Sequence, residues 1–520
     1  MEVEPLLRES VSSFGDGASF WPDTCFVEID TNSVLDRKWE QKPETVVTAS
    51  GLFHEYIHWT QCHSTTFGVF SYLLRHKRAE IIECFLRSLD QDRRADALAK
   101  WREGKPIWRF GVEDSRADLS IACQRLSTHW DALTIFDQIF RRSHPALSKK
   151  FDLRKLFKTA YLHTDGSYSR EELFQSDEPY FSLSLPDQES SVSTLQNLAG
   201  TLSCRALEEC AAFLNQREFY SNAEAIGNEA GAASGWSQRL EQLHSTRWET
   251  HLKDPSKLYS ACIAYFCEEN ESLDINDTPV LLALLIIIDI ALNPPLPPFA
   301  SLEDRFVDVS QVLFSEGDLL QTHPVLRFMR LSQVVRTIGP PTEANIALFD
   351  AGFCKSYVDR LCRESGLMNP SRYLLDFPKA DSGSFVWDDL EDSPLKHLKK
   401  LVLSHHLKGL SVRERWPLCF AAPAHHLLYL PAFKEFLTRD RLETVFIAPL
   451  QIISGAGFFA GIEEEEYWRV LRSAAFAHAL SSLLCGQAQF YEDGLPRDDL
   501  HNATVKRAQA DLVRRLTGVA

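Results

Sequence analysis

Basic residues are in deficit: 55 Lys and Arg stand against 72 Asp and Glu, a formal net charge of −17. Phosphate backbones are gripped by clustered Lys and Arg, so no nucleic-acid partner is expected. No apolar run reaches the roughly 20 residues of a bilayer span. The longest, residues 280–292, carries Asp289 and stops at Asn293-Pro294-Pro295. It reads as a buried core helix, and no membrane association is expected. No CxxC pair occurs among the 12 cysteines. Cys84, Cys210 and Cys267 lie in apolar helical patterns, which fits reduced core thiols better than a disulfide framework. The start, Met1-Glu2-Val3-Glu4-Pro5, lacks the basic-then-apolar order of a secretory signal, so a cytoplasmic location is the expectation. There is no GxSxG elbow and no cysteine in a papain-like or caspase-like surround. The small-residue stretch Ser454-Gly455-Ala456-Gly457-Phe458-Phe459 lacks the Lys-Ser/Thr ending of a phosphate loop and reads as a turn.

What is present is the profile of a folded globular chain, with 44% hydrophobic and 24% charged residues over a length of 520. That length implies roughly two or three domains. The stiffest punctuation is Asn293-Pro294-Pro295-Leu296-Pro297-Pro298, with a second break at Gly339-Pro340-Pro341. A boundary at the first divides the chain into residues 1–292 and 299–520. Phe26-Val27-Glu28-Ile29-Asp30 alternates as a short strand does. From Thr45 onward the helical period dominates, as in 69–89, 195–216, 257–268, 280–292 and 467–484. The fold class is therefore mainly α, formally α+β, with a small N-terminal sheet and a helical C-terminal region. The acidic run 463–466 reads as a solvated helix N-terminus, favoured by the helix dipole.

The chemistry is concentrated in His54-Glu55-Tyr56-Ile57-His58. Residues four apart share a helical face, so both imidazoles can reach one metal ion, and the glutamate beside the first is placed to act as general base. The segment 46–62 has no proline and reads as a helix. Val47, Gly51, His54, His58 and Gln61 form one stripe, while Phe53, Tyr56 and Ile57 cover another side. A helix apolar on more than one face is buried, and buried histidines need something on their nitrogens. Hydrogen bonds to backbone or carboxylates would meet this need, and so would a metal; zinc on His54 and His58, with Glu55 as base, is the expectation.

The motif extends. His54-Glu55-Tyr56-Ile57-His58-Trp59-Thr60-Gln61, followed by Ser64-Thr65-Thr66-Phe67-Gly68, resembles a group of bacterial zincin-like proteins in which HEYxHxxQ precedes a Thr- and Gly-containing turn. The resemblance implies a zincin-type helix of the gluzincin kind, with a glutamate as third ligand. No HExxHxxGxxH pattern is present, so a metzincin is not expected. By the thermolysin-like spacing Glu80 or Glu83 would qualify, but both sit among charges at Arg75, His76, Lys77 and Arg78. The stretch 200–214 is similar to the glutamate-bearing helix of the same proteins. There, at about 100° per residue, Leu202, Ala206, Glu209, Cys210 and Phe213 share a face, while Glu208 falls with Thr201, Arg205 and Asn215. Glu209 is thus the expected third ligand, and Glu208 is expected to be solvated or paired with Arg205. Glu209 lies far along the chain from His58, across the helical patterns at 121–142 and 153–162. Glu113 is an outside candidate in a helix-capping acidic cluster.

Adjacent histidines point about 100° apart on a helix, so His405-His406 and His425-His426 read as ordinary. His63 either approaches the metal or caps its helix. The resulting expectation is a zinc metallopeptidase acting on a protein or peptide, with an oxyanion-stabilising Tyr or His from elsewhere in the chain. The C-terminal half is expected to bind substrate, gate the cleft or recruit a regulatory partner. The alternatives are an interaction protein with a structural or degenerate zinc site, and a hydrolase of non-peptide amides.

Overall fold

The computed structural model describes residues 18–29, 43–103, 202–229, 235–252, 258–296, 320–342, 351–374, 393–415, 451–454, 458–460, 462–485 and 499–518. These are mostly helical, as the periodicity requires. The helices are α1 (Pro43–Ser64), α2 (Thr66–Ser88), α3 (Gln91–Arg102), α4 (Cys204–Glu229), α5 (Trp236–Leu252), α6 (Ala261–Glu269), α7 (Thr278–Ala291), α8 (Pro324–Ile338), α9 (Ala351–Ser365), α10 (Leu395–Arg415), α11 (Glu464–Cys485) and α12 (Asp499–Thr517). The patterns at 121–142 and 153–162, Glu113 and His425-His426 lie outside the described residues.

The expected N-terminal sheet is the antiparallel pair β1 (Ala18–Trp21) and β2 (Phe26–Ile29). It is extended by two strands from the far end of the chain, β3 (Gln451–Ser454) and β4 (Phe458–Ala460), in the order β1-β2-β3-β4. The β2–β3 pairing is parallel, with Phe26 opposite Gln451. Ser454 and Phe458, in the stretch read as a turn, pair across the antiparallel β3–β4 ladder.

Helix α1 is the axis of the molecule, in contact with α2, α4, α5, α10, β1 and β2. Every residue from Ser50 to Gln61 is buried, which is what apolar positions on several faces demand. Its end is closed by hydroxyls bonding back to the preceding turn: Thr60 Oγ1 donates to Tyr56 O and Ser64 Oγ to Thr60 O. Thr65 then caps α2, its hydroxyl accepting from Gly68 N at 2.9 Å. Gly68 is required at this corner, because a Cβ there would lie 2.2 Å from Gln61 O.

The run 280–292 is a buried core helix: every α7 residue from Val280 to Ala291 is buried. Among the described residues no helix is long and apolar enough to cross a membrane. The end of α7 holds the α1–α2 corner in place. Asn293 Oδ1 accepts from Thr66 N at 3.0 Å, and Leu292 O accepts from Phe67 N at 3.2 Å. Arg327 of α8, fully buried, donates to the carbonyls of Ile290, Asn293 and Gln321. Its charge therefore sits on the negative end of α7.

Apolar side chains form two clusters. One gathers residues of α1 and α4 to α9; the other gathers α2, α3, α10, α11 and α12 around the β1–β2 turn. The acidic start of α11 is exposed at Glu464 and Glu465, as expected, and Arg469 pairs with Glu465 and Glu466.

Candidate metal centre

Helices α1 and α4 pack closely because the facing residues of α4 are small: Ala206, Cys210 and Ala211 are each 0% exposed. That contact carries Glu209 against the two histidines of α1. His54 Nε2 and His58 Nε2 are 3.0 Å apart, and Glu209 Oε2 lies 3.5 Å from the first and 3.4 Å from the second. A tetrahedral zinc ion with bonds of about 2.0–2.1 Å sets its ligands about 3.3 Å apart. The triangle fits that donor spacing, and its Nε2, Nε2 and carboxylate set suits zinc or a similar divalent ion. Glu209 Oε2 is buried and makes no hydrogen bond of its own. A carboxylate oxygen in an apolar core, facing only two imidazole nitrogens, is what a cation would explain.

The two glutamates differ in burial, as their helical faces require. Glu209 is 1% exposed together with Leu202, Ala206, Cys210 and Phe213, whereas Glu208 is half-buried. Arg205 Nε lies 3.7 Å from Glu209 Oε1, so the buried glutamate also has a cation one turn away on its own helix. Glu83 serves elsewhere, bonded by Ser393, Arg87 and Arg515, and Glu80 is half-buried on α2.

Gln61 organises the centre, a role the sequence reading left undrawn although Gln61 lay on the same stripe. Its Nε2 donates to Glu208 O on α4 at 2.6 Å, which leaves Oε1 as an acceptor. That oxygen is 2.8 Å from His58 Nδ1, so the neutral imidazole keeps its proton on Nδ1 and presents the Nε2 lone pair to the triangle. One side chain thus fixes a tautomer and ties α1 to α4.

Glu55 is fully buried, and its Oε2 accepts from Phe20 N of β1 at 2.8 Å. The edge strand therefore orients the carboxylate. Burial disfavours a charge on His58, but the Glu209 and Glu55 carboxylates and the Gln61 contact outweigh it and raise the imidazole to about 9. Burial pushes Glu209 up, and its two histidine neighbours more than reverse this and hold it well below the usual carboxylate range. Without a metal, His58 and Glu209 thus form a buried imidazolium–carboxylate pair.

Beyond His54 stands an aromatic group from α5 and the segment before α6. Tyr259 is half-buried with its ring 6.2 Å from that of His54, and the His251 ring is 5.4 Å from Tyr259. His63, about two and a half turns along α1 from His54 and so on its opposite face, joins a different buried group with His405 and His406 of α10. No protein-family model, curated protein or solved structure matches this chain.

Proposed function

We propose that this chain is a zinc metallopeptidase whose metal is held by His54, His58 and Glu209. The observation that carries the reading is the Nε2–Nε2–Oε2 triangle, with edges of 3.0, 3.4 and 3.5 Å and a buried glutamate next in sequence to one of its corners. Zinc in such a set supplies Lewis-acid polarisation for hydrolysis. Glu55 takes a proton from the attacking water and delivers it to the leaving amine. With Oε2 bound by Phe20 N, Oε1 is the oxygen that carries the proton. Gln61 keeps His58 in the tautomer that presents Nε2. The proximity of the Tyr259 ring to His54, 6.2 Å between centroids, supports Tyr259 as the donor to a developing oxyanion. The substrate class is a peptide or protein, by the chemistry common to this motif.

One observation favours a second reading, a structural or degenerate zinc site in an interaction protein. His54, Glu55, His58 and Glu209 are 0–6% exposed, and a catalytic centre needs an open ligand position. Glu55→Gln separates the two. A peptidase retains its zinc and loses about 10²–10⁴-fold in cleavage of a quenched-fluorescent peptide library. An interaction protein keeps both its zinc and its biological effect. Profiling with amide substrates that contain no peptide distinguishes the non-peptide hydrolase. Tyr259→Phe is expected to lower kcat about 10²-fold with KM little changed if it stabilises the oxyanion.

A further inference from the structure

A second group of ligating side chains lies on the far side of α1 from the triangle's partner helix. Cys25 Sγ and one ring nitrogen each of His63 and His405 all fall within 4.8 Å of one another. The three residues come from three elements, the β1–β2 turn, α1 and α10, and each is 0% exposed. We propose that Cys25, His63 and His405 form a second metal site, independent of the first, for a thiophilic borderline ion such as Zn2+.

Three features of the chain bring these atoms together. Cys25 has φ of 62°, a left-handed conformation that few residues other than glycine adopt, and this closes the turn with the thiol inside. Its sulfur neighbours are only weak partners, Tyr72 OH at 3.9 Å and Pro22 O at 4.0 Å. Gly409 lets α10 come against α1 at His63 itself: a Cβ there would lie 2.2 Å from His63 O and 2.4 Å from its carbonyl carbon. That approach is what sets His405 beside His63. The third feature is His63, whose Nδ1 is 3.1 Å from His406 Nδ1 while its Nε2 is buried with no hydrogen bond. A fully buried ring nitrogen without a partner needs a proton donor or a cation.

Thiolate and imidazole together select zinc, cobalt or copper over calcium and magnesium. Uptake of the ion displaces the Cys25 thiol proton, because the thiolate is the ligand. It also competes with the Trp59 indole, which donates to His405 Nδ1 at 3.0 Å. That hydrogen bond breaks whichever ring nitrogen takes the ion: on Nδ1 the ion replaces the indole, and on Nε2 the displaced ring proton moves to Nδ1. The other site offers two nitrogens and a carboxylate oxygen and no sulfur. A thiolate-to-cobalt charge-transfer band therefore reports the Cys25 site alone.

The test is titration of the metal-free full-length chain with Co2+, read by bound metal per chain and by the near-ultraviolet band. The expected result is two equivalents bound and a thiolate band. Cys25→Ser and His405→Gln are each expected to lose the band and one equivalent, while His54→Ala loses one equivalent and keeps the band. His405→Gln keeps an acceptor for the Trp59 indole, so that variant retains the packing contact. If Cys25→Ser does not fold, the wild-type count and His405→Gln decide. A wild-type chain that shows no thiolate band at saturation, or a band that survives in either folded variant, overturns the proposal. Failure of the first site alone appears differently, as a full band with a single equivalent that His54→Ala does not reduce.

Discussion

Gln61→Leu removes the contact that orients His58 while nearly conserving side-chain volume. Two hydrogen bonds are lost, from His58 Nδ1 to Gln61 Oε1 and from Gln61 Nε2 to Glu208 O. Glu208 O is a mid-helix carbonyl of α4 and keeps its helical partner, so the heavier loss falls on the imidazole. Two ordinary buried hydrogen bonds contribute about 1 kcal/mol each, and an unsatisfied buried Nδ1–H costs about 1–3 kcal/mol more. Stability of the metal-free chain should therefore fall by about 3–5 kcal/mol, measured by denaturant unfolding in chelator. Zinc affinity should fall about 10–100-fold, the usual effect of removing a hydrogen-bonding partner behind a ligand histidine. Competition against a chromophoric chelator measures this directly. Affinity within about twofold of wild type would refute the assigned role, even if stability falls, because Gln61 would then be a helix tether only.

Other outcomes follow from the same geometry. The pair His58–Glu209 gives the metal-free protein a pH dependence with a definite sign. His58 is raised from 6.5 to about 9, so its contribution is complete below 6.5 and lost as pH rises through 9. Glu209 is depressed, so its contribution is present above 4.5 and lost only as pH falls through its lower folded value. Thermal midpoints in chelator should decline between pH 6.5 and 9, and zinc should flatten that decline by displacing the imidazole proton; a flat profile in chelator contradicts the pairing. Gly409→Ala drives a methyl into His63 O and should destabilise the chain by about 3 kcal/mol or more, seen in the denaturation midpoint. Gly68→Ala, which meets Gln61 O at 2.2 Å, should disturb zinc affinity as well as stability.

Local rules made part of this protein legible. Residues with one periodicity over a dozen or more positions, such as 280–292 and 467–484, declared their helices because burial on a 3.6-residue period needs no distant partner. The same period put Glu209 on the buried stripe and Glu208 off it, which the burial of α4 reproduces. The parallel partner of β2 was not legible, because a four-residue strand gives little signal and β3 lies more than 400 positions away in the chain. Gln61 could be placed on the right face but not given its task, since one partner is a main-chain carbonyl on another helix. His405 and His406 read as ordinary because adjacent side chains on one helix diverge by about 100°. That divergence says nothing of Gly409, which brings α10 onto His63, so that His405 and His406 meet a third imidazole from α1.

The central claim is that His54, His58 and Glu209 hold one metal ion. Zinc content of the purified full-length chain, compared among wild type, His54→Ala and Glu209→Ala, tests it most directly. Zinc is expected in the wild type, with one equivalent fewer in each variant. Zinc content unchanged by either substitution in a folded chain would contradict it.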